Sequence, residues 1–108
     1  MPWNPYPPLP RETVRDLLGI VRALYRVTGA SDPKNVVRLQ ALTDIGRDLR
    51  DALRSSRNSH PGTVQHSDAW VAAERATRAL GELVASDEPQ PLAPLVRAAA
   101  GRIRRDPL

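Results

Sequence analysis

The sequence predicts an all-α fold: an antiparallel four-helix bundle over residues 11–108, preceded by an extended proline-rich arm over residues 1–10. Three observations lead there. Apolar residues recur at helical spacing in four separate segments. Breaks rich in proline, glycine and small polar residues separate those segments. No segment alternates apolar and polar residues with the period of a strand. A chain of 108 residues has room for one modest core and is too short for two.

The first ten residues hold five prolines and two of the four aromatic residues, Trp3 and Tyr6. Proline at this density fixes φ and removes amide donors, so the arm is read as extended. From Thr13 the pattern becomes helical: Val14, Leu17, Leu18, Val21, Leu24 and Tyr25 form a stripe that Ile20 and Val27 widen. Gly29 closes this helix, and Ser31 or Asp32 caps the next, with Pro33 near its first turn. The second helix runs from about Lys34 to Ser56 with Leu39, Leu42, Ile45, Gly46, Leu49, Ala52 and Leu53 inward. Residues 55–66, polar and carrying Pro61-Gly62, form the longest loop.

The third helix is expected from about Ser67 to Ala85, capped by Ser67 or Asp68. Ala69, Ala72, Ala73, Ala76, Leu80 and Leu83 point inward and Trp70 stands at the border. After a break at Ser86–Pro91, Pro94 opens a fourth helix whose inner face is Leu92, Leu95, Val96, Ala99 and Ile103. Segments of roughly 15–22 residues make helices about 23–33 Å long. Gly19, Gly46, Gly81 and Gly101 fall inside helices; Gly46 lies on an inner stripe, and the other three lie on surfaces that either tolerate glycine or dock another chain.

Composition removes several classes of function. Without cysteine there is no disulfide scaffold, thiol nucleophile or cysteine-ligated metal. No apolar run approaches the roughly 18 residues of a membrane span, and MPWNPYPPLP carries neither a basic nor an apolar leader region, so a cytoplasmic location is expected. The net charge is +4, and fifteen of the sixteen basic residues are arginine. GC-rich bacterial coding produces that bias; guanidinium groups also suit phosphate and carboxylate recognition.

Candidate chemistry is sparse. His60 and His66 fall in the long loop and read as surface residues; with Asp68 they would be the sole metal candidates, and no metal or cofactor is assigned. The residues three before them, Arg57 and Thr63, exclude the Glu-x-x-His pairs of di-iron bundles. Arg54 and His60 reproduce an arginine–histidine spacing used by some small helical ribonucleases, a spacing that an arginine-rich chain produces readily. No glycine-rich phosphate loop or paired inward carboxylates exist, so catalysis is not expected. Pro7-Pro8-Leu9-Pro10 is similar to ligands of proline-recognising domains, but Trp3 and Tyr6 also suit an arm folded back on the bundle or reaching to a second subunit.

The arrangement of charge carries the most information. On helix 2, Arg47, Arg50, Arg54 and Arg57 cluster about 110° from the apolar centre, and Asp44, Asp48 and Asp51 about 135° the other way. On helix 1, Arg11, Arg15, Arg22 and Arg26 form a stripe on the same rotational side as the helix 2 arginines. Bundle handedness therefore decides between one shared basic groove and two separate basic edges. Local pairs such as Asp44–Arg47 and Asp51–Arg54 would contribute only a few tenths of a kcal/mol each.

Two readings follow. In the first, a non-catalytic oligomerising or accessory subunit docks onto a protein partner or itself through Trp3, Tyr6, Asp44, Asp48 and Asp51. In the second, the eight arginines of helices 1 and 2, with Arg102, Arg104 and Arg105 nearby, bind a nucleic-acid backbone. Sparse aromatic interleaving weighs against the second. Neither reading calls for a membrane or a small-molecule substrate.

Overall fold

The computed structural model describes residues 7–29, 31–85 and 92–103, which form four α-helices and no strand. Trp3, Tyr6, the break at Ser86–Pro91 and Arg104 and Arg105 lie outside the described residues. The helices are α1 (Arg11–Val27), α2 (Val36–Arg57), α3 (Val64–Ala85) and α4 (Ala93–Arg102), with one 3₁₀ turn at Pro33–Asn35. Packing runs in sequence order: α1 on α2, α2 on α3 over the largest interface, α3 on α4, and α4 back onto α1.

Each boundary has a local cause. Thr28 closes α1 by donating its hydroxyl to the Leu24 carbonyl at 2.7 Å, while its amide bonds Leu24 and Tyr25. Asp32 accepts the Lys34 amide at 2.9 Å, so the expected aspartate cap exists, but it caps the 3₁₀ turn that leads into α2. Asn35 ties the connection to the Gly29 carbonyl.

The second connection departs from expectation. α3 begins at Val64, three residues before the predicted start, and Thr63 is its cap: its hydroxyl accepts the His66 amide at 3.2 Å and its carbonyl the Ser67 amide. Gly62, at φ 97°, supplies the left-handed residue that turns the chain into this cap. The long loop thus shrinks to residues 58–63. α4, at 10 residues, is shorter than the predicted segments.

The core is a single cluster in which Leu17, Leu42, Leu49, Leu80 and Ile103 are the largest fully buried apolar side chains. Burying each contributes about 1.5–3 kcal/mol. Several predicted inner residues are displaced. Tyr25, Val27 and Leu95 are 46%, 80% and 56% exposed, and Ala93 takes the inner place on α4 that Leu95 was expected to fill. Trp70 is buried within α3, which moves the inner face one position round the helix and brings in Thr77 and Val84. Thr77 satisfies its buried hydroxyl on the Ala73 carbonyl at 2.7 Å. Gly46 is buried where α2 meets α1; a Cβ there would lie 3.4 Å from Val21 Cγ1.

Residues 7–10 are extended and lie against the helices. Leu9 is buried, and its amide donates to the buried Ser56 hydroxyl at 3.0 Å. The Pro7 carbonyl accepts from Trp70 Nε1 at 2.7 Å and from His66 Nε2 at 2.9 Å. A carbonyl can only accept, so the His66 ring carries a hydrogen on Nε2. Its Nδ1 lies 3.3 Å from the Ser59 hydroxyl. His66, expected on the surface, is buried, because the earlier start of α3 places it in the first helical turn facing the arm.

Candidate docking clefts on either side of α2

Because α2 packs on α1 along the Gly46 side and on α3 along its apolar stripe, the two charged edges of α2 flank different neighbours. Between α1 and α2 lies an open cleft of about 310 Å³, lined by Val21, Tyr25, Leu42 and Gly46 and rimmed by Arg22, Arg26 and Arg50. Arginines of both helices therefore face one cleft. None of these three guanidinium groups makes an ion pair among the described residues.

The opposite edge of α2 faces α3. There Asp48, Asp51 and Asp68 surround a smaller cleft of about 220 Å³ lined by Ala52, Ala69, Ala72 and Ser55. Periodicity places the acidic edge of α2; the contribution of Asp68 from α3 was missed. The signal for it was the expected hairpin of helices 2 and 3, which sets the start of one beside the end of the other.

The remaining predicted site residues separate into groups. Arg47 does not join the basic cleft: it lies 3.4 Å from Asp44 and 3.5 Å from Asp48. More than half of the Arg47 side chain is exposed, so these contacts contribute at most about 1 kcal/mol. The expected Asp51–Arg54 pair does not form among the described residues, leaving Asp51 exposed on the acidic rim. Arg11, Arg15, Arg54 and Arg57 are exposed on α1 and α2 and line neither cleft. Trp3 and Tyr6 lie outside the described residues.

Arg54 and His60 are both exposed, and no hydrogen bond joins them among the described residues. The same residues contain no group of three or more histidine, aspartate or glutamate side chains arranged to hold a metal ion. No helix among them is long and apolar enough to cross a membrane. A third open cleft, about 500 Å³ between α3 and α4, is lined by Gly81, Ala85, Ala93 and Val96, with Arg78, Glu82 and Arg97 mixing both signs around it. What sequence reasoning missed on the basic side is Tyr25, counted as a core residue and found half-exposed between Arg22 and Arg26. Compared with family models, with curated proteins and with solved structures, the chain matches none of them.

Proposed function

We propose that this chain is a non-catalytic, antiparallel four-helix bundle that docks onto another protein as an oligomerising or accessory subunit in the cytoplasm, through the charged edges of α2 and the proline-rich arm. The observation that carries the reading is the α1–α2 cleft. Three guanidinium groups without ion-pair partners among the described residues surround an apolar floor that includes a half-exposed tyrosine. Tyrosine and arginine around a partly apolar centre are the residue types that dominate binding energy in protein interfaces. The antiparallel arrangement is supported between α1 and α2, where Leu9, just before α1, meets Ser56 and Val21 lies beside Gly46, so the partner position on α2 falls as the chain advances; the six-residue connection 58–63 requires the same of α2 and α3.

The second reading is a nucleic-acid-associated subunit. Arg22, Arg26 and Arg50 converge and would neutralise phosphates, with a steep dependence on salt. The apolar floor and the acidic edge on the other side of the same helix favour the protein partner.

Site-specific photo-crosslinking from position 25 in the native host separates these outcomes, with the exposed Ala98 position on α4 as control. Protein adducts from position 25 and none from position 98 support docking. Nucleic-acid adducts replace it with the second reading, and no adduct overturns both.

A further inference from the structure

The two clefts beside α2 are complementary to each other. One presents Arg22, Arg26 and Arg50 around a half-exposed Tyr25; the other presents Asp48, Asp51 and Asp68 around a floor of alanines. Neither Asp51 nor Asp68 makes an ion pair among the described residues, and neither does any of the three arginines. We infer that the partner at the α1–α2 cleft is a second copy of this chain, presenting its α2–α3 acidic cleft. This rests on the docking reading above and names its occupant.

Charge and composition agree. Arg22, Tyr25 and Arg26 fall within about one helical turn of α1, so the ring and two cations line the same cleft. On the receiving face, the small Ala52, Ala69 and Ala72 side chains leave a depression for an aromatic ring, and Asp48 and Asp51 stand on α2 across from Asp68 on α3. Setting the exposed half of the ring against those alanines would bring the arginines beside it to the carboxylates around them. The contact joins two different surfaces, so it is heterologous: it either closes by rotation or continues from copy to copy.

The test uses the purified full chain and two charge-reversed variants, R22E/R26E/R50E and D48R/D51R/D68R. Every substituted residue is exposed, and circular dichroism checks that the helices persist. Sedimentation velocity at low salt is expected to show assemblies larger than a monomer for the parent chain, dissociating as salt rises. Each variant alone is expected to lose association about 100-fold or more, because like charges then face one another. Mixing the two restores opposite charge at both contacts and is expected to restore association. Y25A is expected to weaken the parent assembly by about 30-fold or more, as the loss of an interface anchor does. A monomeric parent chain, variants that associate as it does, or a mixture that stays monomeric would each overturn the inference. Protein adducts from position 25 to a different polypeptide would leave the docking reading standing in any of these cases.

Discussion

Where α2 passes into α3, residues 7–10 lie across the helices, and the polar groups there are paired: Leu9 with Ser56, Pro7 with both Trp70 and His66, and His66 with Ser59. At the other end of α2, where α1 passes into it, Val27, Val36 and Val37 are 80%, 60% and 81% exposed, and local bonds from Asp32 to Lys34 and from Asn35 to Gly29 tie the connection. The difference separates two uses of the same residue types. Polar side chains are buried at the arm end because each has a partner that offsets its desolvation. At the turn end, these three valines remain largely in water and contribute little to folding, although Leu24 and Leu42 beside them are buried. That end therefore presents apolar side chains which, with the adjoining Tyr25 cleft, are available for contacts with other molecules.

The largest test of that contrast is Trp70. Trp70→Ala removes a buried indole and one of the two donors to the Pro7 carbonyl, and should cost about 3–5 kcal/mol in urea denaturation. Val37→Ala at the turn end should stay within about 0.5 kcal/mol. A comparable loss at both positions would remove the distinction. Trp70→Phe sharpens it, since the ring is largely kept and the loss should fall to about 1 kcal/mol, with His66 still holding Pro7.

Ser56→Ala addresses the arm more directly. The Leu9 amide would be left buried without its partner, at a cost of about 1–3 kcal/mol. Hydrogen exchange should then rise at Leu9 while the middle of α2 keeps its protection. If the middle of α2 loosened equally, the arm would not be a separate layer on the helices.

These residues also mark where the sequence was legible. Helical periodicity located all four helices, because a stripe of apolar residues must recur at 3.6 to be buried at all. It also placed Asp48 and Asp51 on the opposite side of α2 from Arg50, which needed only the angular count. The connection at residues 58–63 was misread because Ser67 and Asp68 are intrinsically better caps than Thr63, which is the residue that caps α3. The choice is made by burial: starting at Val64 turns His66 and Trp70, four residues apart, toward the same carbonyl. On α4, Leu95 outweighs Ala93 in hydrophobicity, yet Ala93 is the residue that faces α3, so phase cannot be read reliably over 10 residues. Which neighbour each charged edge of α2 would meet depended on handedness, a property of the assembled helices and not of any one of them.

Thr63 gives the next smaller effect. Thr63→Ala should cost about 1 kcal/mol, the usual value of a hydroxyl cap, seen as a lower urea midpoint with an unchanged slope. The consequence should be local, fraying the first turn of α3 and with it the contacts of His66 to the arm. A loss above about 2 kcal/mol would mean that the cap and the arm stabilise one another.

The smallest effect runs in the opposite direction and bears on the glycines. A Cβ at Gly19 would meet nothing within 4 Å, and the residue is exposed in the middle of α1. Gly19→Ala should therefore stabilise the fold by about 0.5–1 kcal/mol, because alanine loses less backbone entropy in a helix and no neighbour must move. At Gly46 the same gain is opposed by Val21 Cγ1, only 3.4 Å from the added carbon across the α1–α2 contact. Gly46→Ala should thus gain less than Gly19→Ala, and any separation of α1 from α2 would also move Arg22 and Arg26 relative to Arg50. Equal gains at the two positions would show that the close approach of α1 and α2 does not depend on glycine, and the geometry of the basic cleft would need another cause.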